Sequence, residues 1–366
     1  MIRPIVVSFC LGVVTLACSS SSGSVPPQVA QDASTNADAG DSQSASVSKI
    51  EWSEGNALLT ARDHHATFVV TGGSSNFLYV VGGRQKGMGG TDTIERSRIA
   101  DDGSLGEWED AGVLGSSVGG HAVAQYGRLV ALIGGTEKGK SSTKVSLGIV
   151  DSQGDISWSA GPVLSVPRFH GTAAVVGNFV YVFGGFPDNA VFVGTDVIER
   201  AEFTETGLGP WSVVAKLPVP YTHQATLAFG KHIYLVSGTQ TNGPTGVPDI
   251  LRATASDDGS LSSWSKVGSL PGARTTHSAT IVGKQLLVAG GGNESSTVAY
   301  RNVWISDLRD DGSLGPFRAL AELPLARMHL HHAPALNGRI YFAGGMSHEH
   351  AVGEKSESRV DIATLR

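Results

Sequence analysis

Residues 101–108 read DDGSLGEW, residues 257–264 read DDGSLSSW and residues 310–317 read DDGSLGPF. Three near-copies of one octapeptide imply a repeated structural unit, and the aromatic that closes each copy marks its register. That aromatic recurs as Trp52, Trp108, Trp158, Trp211, Trp264 and Phe317, at intervals of 56, 50, 53, 53 and 53 residues. Six positions after it stands Leu58, Leu114, Leu164, Leu217, Leu270 or Leu323. Ten positions after it come Arg62, Val118, Arg168, Tyr221, Arg274 and Arg327. A histidine follows within two or three residues: His65, His121, His170, His223, His277 and His329. The chain is therefore a six-fold repeat with a period near 53 residues.

Each repeat continues alike. A strand such as HGTAAVVG precedes a two-residue turn and a second strand such as FVYVFGG. Runs this continuously apolar indicate strands covered on both faces. A variable polar loop leads to a third strand (IERSRI, VSLGIV, VIERAEF, ILRATA, VWISDL). In the first five repeats that strand begins nine positions before the glycine of the opening motif. DDGSL is then the hairpin to a fourth strand, with Asp-Gly supplying positive-φ residues for a tight turn. The last repeat stops at SRVDIATLR without a fourth strand, and Trp52 has no third strand before it. Ile50-Glu51-Trp52 is expected to complete the last unit, closing the ring and removing its sheet edges. The fold class that follows is all-β, a six-bladed propeller of four-stranded antiparallel blades over residues 49–366.

Composition agrees: 48 glycines in 366 residues without a collagen period, and 40% apolar residues. The net charge of −6 is spread over interspersed charges, so no basic stripe exists to bind nucleic acid. The start, MIRPIVVSFCLGVVTLAC, has Arg3 followed by an apolar run from Ile5 to Ala17, too short to span a bilayer. Residues 1–17 read as a signal peptide. Its end, Val14-Thr15-Leu16-Ala17-Cys18, resembles the bacterial lipobox, although Thr15 stands where that family prefers Leu. The resemblance implies lipidation of Cys18 and, with Ser19 following, export to the outer membrane; an ordinary secretory cleavage is the alternative. Cys10 would leave with the signal peptide, so no disulfide could form. Residues 18–48 are rich in Ser, Ala, Asp and Gly and read as a disordered tether with a reach of roughly 30 Å. The expected location is the cell envelope, as an outer-membrane lipoprotein facing the periplasm or the surface, and as a monomer that meets the membrane only through its lipid.

Four-stranded repeats of about 50 residues, with Gly-Gly ending the second strand and Trp on the fourth, resemble kelch repeats. The pairs are Gly82-Gly83, Gly134-Gly135, Gly184-Gly185, Gly290-Gly291 and Gly344-Gly345, with Ser237-Gly238 in the fourth unit. Arg62-x-x-His65 and Arg274-x-x-His277 are also kelch-like. The third strands are aliphatic where kelch repeats usually carry tyrosine. The Asp-box of sialidases does not fit, since it sets Asp five residues before Trp and here the nearest, Asp102, precedes Trp108 by six.

The resemblance implies a module that binds a protein or a glycan of the cell envelope, with no cofactor and no metal. An alternative is a carbohydrate-active enzyme such as a sialic acid mutarotase, which requires acid/base groups at the channel mouth; no paired carboxylates stand at matching repeat positions. A galactose-oxidase-type copper centre is excluded, because the fold contains no cysteine. Loops joining strands two to three, and four to the next blade, share one face and differ in every repeat, so recognition is expected there. Arg62, Arg168, Arg274 and Arg327 are expected to open onto that face, together with His121, His170, His223 and His277, as candidate ligand-binding residues. Such a mouth suits a carboxylate or an acidic peptide; pairing of the arginines with backbone carbonyls between blades is the alternative. Six-fold spacing is expected to hold the histidines too far apart for a metal, each bonding the neighbouring blade's backbone. His329, His331 and His332, with His348 and His350, form a local excess read as solvated loop residues. Asp101-Asp102, Asp257-Asp258 and Asp310-Asp311 offer too few oxygens for calcium.

Overall fold

The structure, a computed structural model, describes residues 46–366 except 86–88, 189, 192, 241–244, 294–296 and 350–352. The signal peptide, Cys18, the tether up to residue 45, and His350 lie outside the described residues. Six four-stranded antiparallel blades follow one another around a ring. Blade 1 comprises Ala66–Val70, Asn76–Val81, Thr93–Ile99 and Leu105–Val113 from the axis outward. Blades 2 to 5 repeat that order, with innermost strands Ala122–Tyr126, Thr172–Val176, Ala225–Phe229 and Ser278–Val282. The second strands are buried almost throughout, as their unbroken apolar runs require.

Blade 6 is assembled from both ends of the chain. Ile50–Gly55 pairs antiparallel with Val360–Leu365, from Ile50↔Leu365 to Gly55↔Val360, as the unmatched ends of the repeat require. Packing begins earlier than composition indicated. Val47 is buried, its N–H donates to Gln285 Oε1 at 2.7 Å, and Ser48 N–H donates to the Arg366 carbonyl at 2.7 Å. Residues 46–48 therefore belong to the domain; Val47 is apolar and reaches the core shared by blades 5 and 6.

The DDGSL segment has two roles, of which only the first was legible. As a turn, Gly103 N–H donates to the Ala100 carbonyl at 2.8 Å, and Asp102 Oδ1 accepts from Ser104 N–H at 2.9 Å. Only the glycine is left-handed (Gly103 φ 80°, Gly259 φ 76°, Gly312 φ 75°), not the aspartate. Asp acts as a side-chain cap of the turn rather than as a positive-φ residue.

The second role is between blades. A tyrosine in the second strand of one blade donates its hydroxyl to the turn glycine of the next: Tyr79 to Gly154 O at 2.7 Å, Tyr181 to Gly259 O at 2.9 Å, Tyr234 to Gly312 O at 2.9 Å and Tyr341 to Gly103 O at 3.1 Å. An arginine beside the tyrosine reinforces this, as Arg200 to Asp258 O and Arg252 to Asp311 O, both 2.8 Å. The seam between blades 2 and 3 lacks the tyrosine. Ala131 stands there, and Phe203 fills the space, stacked on Tyr126 at 5.5 Å. Between blades 5 and 6, Leu287 replaces the tyrosine and Ser46–Val47 occupies the place of a turn, held by Gln285 and by Arg318. The octapeptide is thus repeated because a latch needs a fixed shape. Tyr181→Phe is expected to cost about 1 kcal/mol by leaving the Gly259 carbonyl unbonded, read as a lower denaturant midpoint with unchanged slope.

Candidate functional site: the histidine cluster at the channel mouth

The loop joining each outer strand to the next innermost strand turns sharply at one residue in the left-handed region. That residue is His64 (φ 59°), Gly120 (φ 62°), His170 (φ 56°), His223 (φ 57°), Thr276 (φ 52°) and His329 (φ 55°) in blades 1 to 6. All six lie twelve positions after the register aromatic. The thirteenth position is His65, His121, Gly171, Gln224, His277 and Leu330. The histidines following the arginine position therefore belong to two sets that point in different directions.

The thirteenth-position set is structural. His65 Nε2 lies 3.0 Å from the Ala343 carbonyl of blade 6, and Gln224 Nε2 donates to the Phe183 carbonyl of blade 3 at 3.2 Å. These two reach the second strand of the preceding blade, as expected from the repeat, whereas both ring nitrogens of His121 are buried without a hydrogen-bond partner. Burial lowers His121 and His277 from the usual 6.5 to about 3.

The twelfth-position set converges on the axis, which corrects the expectation that six-fold spacing keeps the imidazoles apart. One ring nitrogen each from His64, His170 and His329 lie within 4.8 Å of one another, and all three residues are buried. Ring centres are separated by 3.8 Å between His64 and His329, 4.9 Å between His64 and His170, and 4.1 Å between His170 and His223. His331 joins them, 5.1 Å from His170 and 5.6 Å from His329. The spacing argument failed because a left-handed residue at the tip of a loop turns its side chain inward, where the ring is narrowest.

His331 belongs to this group for a local reason. In blade 6 the innermost strand shrinks to Ala335–Leu336, since His331-His332-Ala333-Pro334 replaces a regular strand and Pro334 has no N–H to donate. His331 and His332 line a cavity of about 20 Å³ with Val123, Thr172, Thr226 and Ala279, room for about one water. They face the channel rather than bulk solvent, which corrects their reading as solvated loop residues.

His64 is held from behind. Its Nδ1 bonds the Asp63 carboxylate, which also accepts from Arg84 Nε at 3.1 Å and Ser356 Oγ at 2.5 Å. Burial pushes Asp63 up, but these partners outweigh it and leave the carboxyl below its usual range. His170, His329 and His331 fall well below 6.5 through burial and mutual repulsion, and burial takes His223 to about 3. The cluster is therefore a set of neutral imidazoles. His170 Nδ1, His329 Nδ1 and His331 Nε2 are buried without a hydrogen-bond partner.

The arginines do not open onto the loop face. Arg62, Arg168, Arg274 and Arg327 are 0%, 1%, 6% and 0% exposed. Arg168 donates to the Gly184 and Val197 carbonyls at 2.8 and 2.9 Å and to Glu199 Oε2 at 2.9 Å. Arg62 pairs with Glu95 and bonds the Gly82 carbonyl; Arg327 pairs with Asp361 at 2.5 Å and bonds the Gly344 carbonyl. The carbonyls are those of the same blade's glycine pair, not of its neighbour. Arg274 lacks an acid and lies over Tyr300 and Trp304, 3.9 and 4.2 Å from their ring centres. The sequence carried a signal for these pairs. Glu95, Glu199 and Asp361 occupy one position of the third strand, next after Ile94, Ile198 and Val360, and an acid stands there only in blades that also carry the arginine and lack an aromatic partner for it. Matched carboxylates do exist, contrary to the expectation, but each is neutralised by its arginine.

The profile of the KLHDC2/KLHL20/DRC7 Kelch-repeats domain matches residues 120–345. The chain belongs to the kelch-repeat family. It is similar to alpha-scruin of Limulus polyphemus, 25% identical over 238 residues that cover 62% of this chain and 24% of that protein. It is also similar to Kelch-like protein 38 of Mus musculus and of Homo sapiens, each 21% identical and covering 74% of this chain and 42% of the relative. The chain spans less than half the length of these relatives. In this kelch propeller the glycine pairs are fixed by close approach: a Cβ on Gly83 would sit 2.7 Å from the Asp63 carbonyl. Ser237 fills the first of these positions in blade 4 at φ 52°, its Oγ donating to the Val247 and Arg274 carbonyls at 2.6 and 2.9 Å.

Proposed function

We propose that this kelch propeller is a lipid-anchored module of the cell envelope that binds a protein through its loop face. Kelch domains generally mediate protein–protein interactions. The observation that carries the reading is the distribution of exposed apolar surface. Among the described residues, Leu59, Val113, Val163, Val191, Val193, Val213 and Val298 are the exposed large apolar side chains. All but Val213 lie on the loop-face connections or the strand end that opens onto them. Four of the loops between second and third strands are stiffened into short ribbons, including Thr136–Glu137 with Lys140–Ser141 and Met346–Glu349 with Gly353–Ser356. Paired loops lose little entropy on binding, and the exposed apolar side chains share their face, on the loops of blades 3 and 5 and on the connections between blades. The chain enters the ring on the opposite, turn face, so an anchor at Cys18 would leave the loops pointing away from it. Asp63, which bonds His64 of the cluster, is pulled down rather than raised, so it does not supply the acid that the mutarotase alternative needs at neutral pH.

The test compares capture from envelope fractions by the wild type, by Val163→Asp/Val193→Asp on the loop face and by Asp257→Lys/Asp310→Lys on the turn face. A partner retained by the turn-face variant and lost by the loop-face variant is expected. Equal capture by both variants would sink the reading, and so would recovery of the wild-type and Cys18→Ala chains in the soluble fraction alike for the anchor.

A further inference from the structure

We infer that His64, His170 and His329 form a binding site for a divalent transition ion, zinc in the first instance, on the propeller axis. The three imidazoles come from blades 1, 3 and 6, and their nearest ring nitrogens fall within 4.8 Å of one another. Tetrahedral zinc at 2.0–2.1 Å from nitrogen needs ligands about 3.4 Å apart, so the set would draw together by about 1.4 Å at most on taking an ion. Among the described residues it is the one group of three potential metal ligands so placed.

Three further features point to an ion. First, Nδ1 of His170 and of His329, two members of the set, and Nε2 of His331 beside it are buried without a hydrogen-bond partner, a deficit shared outside the cluster by His121. Second, His64 Nδ1 rests on Asp63, itself fixed by Arg84 and Ser356. A carboxylate behind an imidazole is the arrangement that orients a metal-ligating histidine and fixes its free nitrogen. Third, four of six blades place histidine in a left-handed conformation that blade 2 fills with glycine. Histidine is one of the side chains that the left-handed region admits, so the turn itself aims four imidazoles at the axis.

The donor set selects the class of ion. Imidazole nitrogens suit zinc, copper and nickel, whereas calcium and magnesium need oxygens that the set lacks. Three imidazoles leave a fourth position, which His223 or His331 can take or which water from the axial cavity can fill. The ion would join blades 6 and 1 to blade 3 across the axis.

The test titrates zinc into the purified, chelator-stripped protein, with elemental analysis after dialysis and the visible absorption of the cobalt(II) form as a second readout. One equivalent is expected to be retained, with a tetrahedral cobalt spectrum and a higher melting temperature. His170→Gln and His329→Gln are each expected to weaken binding more than 100-fold, Asp63→Asn by 10–100-fold, and His232→Ala, on the turn face, not at all. If one glutamine variant fails to fold, the other and the wild-type cobalt spectrum still decide. No retained zinc, or binding that persists in both glutamine variants, overturns the site; so does binding abolished by His348→Ala instead.

Discussion

Arg168→Ala is expected to lower the stability of the propeller by about 3–5 kcal/mol, because it strands a charge in the interior. Arg168 is 1% exposed and Glu199 0%. Glu199 would keep its bonds from Ser165 N–H and Oγ, 2.6 and 2.7 Å, but lose its counter-charge. The Gly184 and Val197 carbonyls would lose a donor as well. The comparison that isolates the charge is Arg168→Met with Glu199→Leu, which removes both partners and is expected to recover most of the loss. Denaturant midpoints of the three chains settle it: a single variant within 1 kcal/mol of the wild type would mean that the pair is solvated. The same argument disqualifies Arg168 as a probe of ligand binding, since its loss would be read through unfolding.

Acid should be the second large effect. His121 and His277 sit near 3 in the folded chain because burial disfavours the imidazolium, while the unfolded chain titrates near the ordinary 6.5. Below 6.5 the unfolded state takes up protons that the folded state refuses, so the stability present above 6.5 is lost as pH falls towards 3. At pH 5 each histidine accounts for about 2 kcal/mol of that loss. Blade 4 supplies the control. Gln224 occupies the same place without titrating, so His121→Gln/His277→Gln should shrink the change in denaturant midpoint between pH 7 and pH 5, the remaining buried histidines keeping the rest of it. A wild-type midpoint that does not move over that interval would contradict the burial argument.

Much of the ring was legible because a repeat reports on itself. The six aromatics gave the blade count, and the missing third and fourth strands at the two ends gave the closure of Ile50 against Leu365. The axial site was not legible, for a reason of one residue. His64 and His65 are adjacent, yet one faces the channel and the other the neighbouring blade, because the left-handed turn at His64 separates their directions. Grouping histidines that follow the arginine by two or three residues merged the two sets. The tyrosine latch was hidden differently: Tyr79 and Gly154 are 75 residues apart, and each alone has an ordinary strand or turn role. The tyrosine is missing at Ala131 and Leu287, and only at Leu287 is the turn missing with it.

The entry of the chain at Ser46–Val47 has a mechanical consequence. Ile50–Gly55 runs from the turn face to the loop face, paired over its length with Val360–Leu365. A pull on the preceding residues against a load gripped at the loops acts along this strand. It shears all the pairs of the ladder together and drags on the Gln285 and Arg318 bonds at its foot. A pull between the two ends of the domain acts otherwise. Ser48 N–H and the Arg366 carbonyl are already bonded to each other at 2.7 Å, so such a force would peel the ladder open from Ile50 and Leu365, one pair at a time. The ring is closed by a zip fastened at its foot, strong when tension runs along it and weak when its two tabs are drawn apart.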